Sequence, residues 1–140
     1  MRSMGLDIGK VRIGIALSDE TGLIAQGLPT LTRTGWERDL QYLVELSNKY
    51  KVNQFVIGYP LNLDGLPGQQ AQKTLDFSSR LREVIPLEVV LWDERFTSLL
   101  AERTLIEGKV RRAKRKKVID QVSAIIMLQS YLDSQNCNNF

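Results

Sequence analysis

Residues 5–17 read Gly5-Leu6-Asp7-Ile8-Gly9-Lys10-Val11-Arg12-Ile13-Gly14-Ile15-Ala16-Leu17, and this stretch decides the fold. Alternation with a period of two predicts two strands, the first with Leu6 and Ile8 on one face and Asp7 between two glycines on the other. Gly9-Lys10 suits a two-residue hairpin loop, because glycine at the first loop position supplies the positive φ of a type II′ turn. An aspartate on a strand otherwise fit for burial costs stability unless a cation compensates it. The alternative is that Asp7 caps an exposed edge of the sheet.

The length of 140 residues predicts a single domain over residues 1–135, followed by a polar tail over 136–140. The single cysteine, Cys137, lies in that tail and cannot form an internal disulfide, so we expect a reducing, cytoplasmic location. No segment resembles a signal peptide, because charged residues interrupt the one candidate apolar run. No apolar run approaches the length of about 18 residues that a membrane helix needs.

The chain contains no histidine. This excludes Ser-His and Cys-His nucleophilic catalysis, zinc held by histidine, and a histidine general base. Any chemistry must therefore use carboxylates, lysines, hydroxyls or a bound metal.

The remaining elements follow from periodicity and from turn residues. We predict a third strand over 23–32, strands over 54–58 and 87–92, and helices from about 35 to 50, over 69–84, over 99–107 and over 117–132. Thr34 and Glu37 have the spacing of a capping box for the first helix. The order predicts an α/β fold with a five-stranded mixed sheet flanked by helices, in which strands 1–3 form an antiparallel meander and strands 4 and 5 are parallel.

Three acidic residues stand at the ends of predicted elements. Asp7 ends the first strand, Glu94 follows the fifth, and Asp120 falls in the first turn of the last helix. In open α/β sheets, ligands bind outside the carboxyl ends of the strands, so these residues can face one crevice if strand 1 is central and lies beside strand 4. Asp120 could instead complement the helix dipole.

The last helix offers small residues beside its acid. Ser123 and Ala124 would let the helix carry Asp120 close to the sheet, while an apolar stripe would handle core packing. The predicted stripe consists of Val118, Val122, Ile125, Ile126 and Leu132.

Three carboxylates close together repel one another, and divalent cations remove that conflict. Mg²⁺ prefers one or two carboxylates together with waters and substrate phosphates. Two ions about 4 Å apart could activate a water and stabilise a leaving oxygen without any histidine.

The positive charge is concentrated in one run. Residues 109–117 hold seven basic residues and no acidic one, which leaves 12 basic against 16 acidic residues elsewhere. The run is either a solvated surface segment or a phosphate-binding patch beside Asp120. Its members are Lys109, Arg111, Arg112, Lys114, Arg115, Lys116 and Lys117. Lys10 and Arg95 are further candidates for phosphate contact, although Lys10 could be a plain turn residue and Arg95 could pair with Asp93.

Four ordered motifs resemble those of the YqgF/RuvX family, ribonuclease H-like proteins described as Holliday junction resolvases and pre-16S rRNA nucleases. The four stretches cover nearly the whole chain. They are Gly5-Leu6-Asp7-Ile8-Gly9 with Ile13-Gly14-Ile15-Ala16, Ile57-Gly58-Tyr59-Pro60-Leu61 with Asp64-Gly65 and Gly68, Asp93-Glu94-Arg95-Phe96-Thr97-Ser98, and Asp120 with Ser123-Ala124 and 128–132.

The resemblance implies a ribonuclease H-like fold and phosphodiester hydrolysis that depends on Mg²⁺ or Mn²⁺. It also implies that Asp7, Glu94 and Asp120 form the acidic site, and that the substrate is precursor 16S rRNA matured at its 5′ end in the bacterial cytoplasm. Ribosomal precursor particles are the further partner that we expect. Three alternatives stay open: resolution of four-way DNA junctions, a non-catalytic RNA-binding assembly factor, and a sugar or acetate kinase. The kinases need two copies of the fold, and 140 residues provide one.

Overall fold

A computed structural model of the protein describes residues 1–60, 66, 68–93 and 112–137, without the side chains of residues 112–118. The predicted helix over 99–107 lies outside these residues. The five strands are β1 (Ser3–Ile8), β2 (Arg12–Ser18), β3 (Ala25–Thr32), β4 (Gln54–Tyr59) and β5 (Glu88–Asp93). The helices are α1 (Trp36–Lys49), α2 (Gln69–Val84) and α3 (Arg112–Cys137). None of the helices in these ranges combines the length and hydropathy needed to cross a bilayer.

The strands form one mixed sheet in the order β3-β2-β1-β4-β5. The first three strands are antiparallel neighbours, whereas β4 runs parallel to both β1 and β5. The predicted fold class is confirmed, and β1 is the central strand beside β4. An aspartate on β1 therefore cannot cap an exposed edge, and that alternative reading of Asp7 is wrong.

The two faces of the sheet carry separate apolar clusters. On one face, side chains such as Leu6 and Ile57 pack against α1 and α2, which contribute Leu43 and Phe77. On the other face, the small strand residue Ala16 packs against the buried side of α3. Helices thus cover both faces, as the apolar β4 requires.

The β1–β2 connection differs from the predicted type II′ turn. Gly9 is not among the described glycines with positive φ, which are Gly22 and Gly35. Instead, the N–H of Gly9 donates to the carbonyl oxygen of Arg12 at 2.9 Å, and a Cβ on Gly9 would lie 2.6 Å from that oxygen. Glycine is required here by the close approach of two backbone segments and not by the sign of φ.

The predicted capping box of α1 is wrong. The N-cap is Gly35, and no side chain caps it by a hydrogen bond. The fully buried carboxylate of Asp39 instead accepts the backbone N–H of Thr34 at 3.1 Å and pairs with Arg33 at 3.4 Å. The carboxylate of Asp39, within α1, therefore fixes the two residues that precede the helix N-cap.

Helix α3 begins at Arg112, five residues before its predicted start. Asp120 consequently lies about two turns inside the helix and not in its first turn, so the helix dipole does not explain this aspartate. The predicted packing stripe is right only in part: Leu132 is buried, whereas Val122, Ile125 and Ile126 are half-buried, and the side chain of Val118 lies outside the description. The buried face of the described part of α3 holds Ser123, Ala124, Met127, Leu128, Tyr131 and Leu132, so Ser123 and Ala124 do face the sheet as predicted. Small residues pack because the helix lies very close to the sheet.

Gly14 marks the closest approach of α3 to the sheet. A Cβ on Gly14 would overlap the backbone carbonyl of Asp120, which has no rotamer by which to move away. At Gly27, by contrast, a Cβ would meet only the flexible side chain of Gln121 at 2.7 Å. That side chain donates a hydrogen bond to the carbonyl of Leu28 at 2.9 Å, so it also pins α3 to the edge strand β3.

We predict that Gly14→Ala lowers the free energy of unfolding by about 3 kcal/mol, because the added methyl overpacks backbone against backbone. The matched control Gly27→Ala should cost about 1 kcal/mol, the scale of one disturbed hydrogen bond. Urea denaturation of both variants measures the difference. Equal losses at the two positions would contradict the rigid contact at Gly14.

Candidate active site

A cavity of about 230 Å³ opens at the carboxyl end of the central strand β1. Asp7 and Asp120 both line it, although they stand 113 positions apart in the sequence. The remaining lining residues are Ile8, Gly9, Gly58, Pro60 and Gln70. The sequence placed these two acidic residues in one crevice, and they do share one cavity.

Asp7 reaches the cavity because of its position on β1. It pairs across the antiparallel ladder with Gly14, the residue over which the backbone of Asp120 passes. Leu6 and Ile8 on either side are buried in the opposite cluster, so strand alternation directs Asp7 to the face that α3 covers. The absence of a side chain on Gly14 leaves room for both acidic residues on this face.

Asp120 is held by an ion pair with Arg12. The guanidinium Nε of Arg12 donates to Oδ2 of Asp120 at 3.0 Å, with the two side chains only 22% and 27% exposed. Arg12 stands two residues before Gly14 on β2, and therefore on the same face of the sheet. The pair compensates one of the two negative charges at the cavity.

Sequence reasoning missed both Arg12 and Gln70 as parts of this site. The side-chain nitrogen Nε2 of Gln70, in the first turn of α2, donates to the backbone carbonyl oxygen of Ile8 at 2.7 Å and so joins α2 to the end of β1. Strand alternation could have identified Arg12, since it places this cation on the Gly14 face. No comparable pattern marks Gln70, because its partner is a backbone atom distant in sequence.

The other predicted site residues divide into three groups. Glu94, Arg95, Lys109 and Arg111 lie outside the described residues. Arg112, Lys114, Arg115, Lys116 and Lys117 belong to α3 by their backbone, while their side chains are outside the description. Lys10 is exposed on the β1–β2 loop, directly after Gly9 of the cavity.

The donor set at the cavity suits a hard divalent cation. Carboxylate oxygens are the ligands that Mg²⁺ prefers, and it keeps several waters that need room. Asp7 and Asp120 offer such oxygens beside one open volume. Within the described ranges, no three histidine, cysteine or acidic side chains come together as a complete metal site. The described part of the cavity can therefore supply two of the three carboxylates that were predicted.

The central strand with its aspartate, the strand order and the acid-bearing helix across the sheet define the ribonuclease H-like class of α/β proteins. Two solved structures share this fold. The chain aligns with Thermus thermophilus RuvC, solved in complex with a Holliday junction substrate, at a TM-score of 0.61 and 11% identity, covering 97% of this chain and 96% of that one. It aligns with the fowlpox virus Holliday junction resolvase at a TM-score of 0.61 and 14% identity, covering 96% and 99%.

The chain belongs to the RuvX family, whose model is described as "Holliday junction resolvase" and matches residues 1–134. A relative from Caldanaerobacter subterraneus is 50% identical over 136 residues, covering 96% of this chain and 98% of its own. One from Thermoanaerobacter pseudethanolicus is 46% identical, with the same coverage. Both carry the name "Putative pre-16S rRNA nuclease". The family resemblance stated from the motifs is confirmed.

We predict that Arg12 and Asp120 are coupled by about 1 kcal/mol, because their pair is short and mostly shielded from water. A double-mutant cycle with Arg12→Gln and Asp120→Asn, read out by urea denaturation, measures this coupling. The control cycle is the pair Arg2 and Glu20, which are 3.9 Å apart with the Glu20 side chain 87% exposed, and should give a value near zero. A coupling at Arg12 no larger than this control would rule out charge compensation at the cavity.

Proposed function

We propose that this protein is a divalent-metal-dependent nuclease that hydrolyses phosphodiester bonds in precursor 16S rRNA, acting in the cytoplasm. One observation carries the proposal: Asp7 and Asp120 line a single cavity at the carboxyl end of the central strand. Membership of the RuvX family supports nuclease chemistry. The names of the relatives support precursor 16S rRNA as the substrate.

We assign the acidic site to Asp7, Glu94 and Asp120, with Mg²⁺ or Mn²⁺ as the cofactor. The support for Glu94 comes from Trp92, which packs edge-on against Tyr131 of α3 with ring centroids 5.6 Å apart. Trp92 therefore faces α3, as Asp7 does, and Glu94 stands two residues further along the chain. Alternation would bring Glu94 to the same face, where it would complete the carboxylate set.

When bound, the metal would activate a water for attack on phosphorus and stabilise the leaving oxygen. The roles of the protein groups follow from their positions. Asp7 and Asp120 would hold the ion with carboxylate oxygens from two rigid elements, a strand and a helix. Arg12 keeps Asp120 oriented toward the cavity, and Gln70 fixes the end of β1 that carries Asp7. Positioning of this kind accounts for much of phosphoryl-transfer catalysis.

The basic residues are assigned to binding of the nucleic-acid backbone. These residues are Lys10, Arg95, Lys109, Arg111, Arg112, Lys114, Arg115, Lys116 and Lys117. Five of them stand on α3 between its start and Asp120. Their charge would tether phosphates close to the cavity without reading sequence.

We predict that Asp7→Asn lowers the cleavage rate by at least roughly a hundredfold, the scale of losing one group that stabilises charge in the transition state. RNA affinity should stay measurable, because an amide adds no bulk and removes a negative charge. The assay is incubation with precursor 16S rRNA with Mn²⁺ or with EDTA, followed by mapping of product ends. Asp133→Asn, the same change at an exposed position near the end of α3, is the control and should cleave normally. Full activity of Asp7→Asn with metal present would refute the assignment.

The same assay separates the competing functions. Junction DNA is favoured as a second candidate substrate by the description of the family model. Competition between four-way DNA and precursor rRNA at matched salt decides between them. The absence of metal-dependent cleavage of either substrate would point to a non-catalytic assembly factor.

We predict that RNA affinity falls about a hundredfold between 50 and 200 mM salt if four basic side chains neutralise phosphates. Fluorescence anisotropy in EDTA measures this without interference from cleavage. Joint replacement of Lys114, Lys116 and Lys117 by Gln should make the plot of log affinity against log salt shallower by about two to three. An unchanged slope would show that the run does not contact the backbone.

A further inference from the structure

A stacked group of side chains lies beside the cavity on the side away from α3. The guanidinium carbon of Arg33 is 5.2 Å from the ring centroid of Trp36, and that of Arg80 is 4.3 Å from the same centroid. Phe77 of α2 packs on Trp36 with ring centroids 5.6 Å apart. The stack joins the start of α1 to the middle of α2.

This stack is connected to the cavity by direct contacts. A terminal nitrogen of Arg33 donates to the carbonyl oxygen of Gly9 at 3.0 Å, and Gly9 lines the cavity. On α2, Gln70 lines the cavity as well, and Lys73 and Arg80 follow at helical spacings of three and ten residues. These spacings keep the three side chains along one side of the helix.

The two arginines differ in charge balance. Arg33 is 19% exposed and is neutralised by the buried Asp39. Arg80 is exposed, and so are Lys73 and Lys10. In the described part of the chain, no carboxylate lies within ion-pair distance of any of these three cations. The nearby Glu37 lines a separate apolar cleft with Leu40, Gln41, Val44 and Val84. The carboxylate of Asp76, which stands between Lys73 and Arg80 on α2, accepts a hydrogen bond from the side-chain amide of Gln72 at 3.2 Å.

We propose that Lys10, Lys73 and Arg80 form a second basic track, which binds the phosphate backbone of the RNA strand as it leaves the cavity along α2. This inference rests on the proposed nuclease function, because it takes the cavity as the place where the strand is cut. Arg80 is the distal contact, and the Trp36 ring holds its guanidinium in place, which lowers the entropy lost on binding.

The dimensions fit a short length of strand. From Gln70 to Arg80 the helix rises about 15 Å at 1.5 Å per residue. For comparison, one strand of duplex DNA rises about 3.4 Å per nucleotide, so this length matches the rise of roughly four nucleotides. The track is thus long enough to engage several nucleotides adjacent to the cleavage point, opposite the basic run of α3.

The test is binding of a fluorescein-labelled 20-nucleotide RNA from the 5′ flank of 16S rRNA, measured in EDTA over a salt series. Arg80→Gln should weaken binding about fivefold at low salt and make the salt slope shallower by about one. Arg80→Gln combined with Lys73→Gln should make it shallower by about two. The matched control is Lys49→Gln, which removes the same charge from a cation that also lies over an aromatic ring, Tyr50, at 5.3 Å. Lys49 ends α1 about 20 Å from its start at Trp36 and should leave both affinity and slope unchanged.

Two results would overturn the proposal. One is an affinity for RNA that is the same in Arg80→Gln and in the control. The other is a loss of thermal stability in Arg80→Gln with unchanged RNA affinity of the folded protein, which would show that the stack only stabilises the packing of α1 on α2.

A second readout comes from Trp92→Phe, which leaves Trp36 as the single tryptophan. RNA should change the emission of Trp36 in this variant, and should do so less when Arg80→Gln is added.

Failure of the track and failure of the nuclease assignment are distinguishable, because binding is measured without metal and cleavage with it. Cleavage of precursor rRNA together with an RNA affinity that Arg80→Gln does not change would contradict the second basic track alone. RNA binding that Arg80→Gln weakens, without any cleavage, would contradict the nuclease assignment and support the track.

Discussion

The contact between α3 and β2 at Gly14 is the constraint on which both the fold and the site depend. A helix can lie with its backbone against a strand only where the strand has no side chain, and the carbonyl of Asp120 occupies that place. Since Gly14 is also the ladder partner of Asp7, the same contact that closes the second layer of the core brings two distant acidic residues together. The packing of α3 and the assembly of the cavity are therefore one event.

Bringing two carboxylates together in a half-buried place requires a compensating charge, and β2 supplies it two residues before Gly14. Arg12, Gly14 and Ala16 alternate on one face of β2, and each has a separate role. Arg12 pairs with Asp120, Gly14 gives α3 its space, and Ala16 packs beneath the helix in the core. This order explains why a strand of ordinary apolar character carries an arginine on a face that a helix covers.

The sequence predicted the architecture because its strongest signals are periodic. The structure confirms the strand alternation predicted around Asp7 and the predicted bounds of α2. The errors arose where a local pattern competed with a tertiary contact. The conformation of the Gly9 turn is set by the close approach of two backbone segments. The capping box predicted for Thr34 and Glu37 does not form, and the carboxylate of Asp39 instead accepts the backbone N–H of Thr34 and pairs with Arg33. The buried face of α3 was predicted in part: Ser123 and Ala124 lie toward the sheet as expected, but hydrophobicity also favoured Val122, Ile125 and Ile126, which are only half-buried.

The early start of α3 changes how the basic run can act. A flexible segment before Asp120 could only raise the local concentration of nucleic acid. Residues 112–117 instead belong to the same continuous helix as Asp120, the first of them about 12 Å away along the axis. On the other side of the cavity, Gln70 and Arg80 also share one helix. Phosphate contacts made by either helix would be fixed relative to the acidic residues, so binding energy gained from remote nucleotides could be used to align the scissile phosphate. Rigid spacing between charge and cavity is what separates such a site from a merely basic surface.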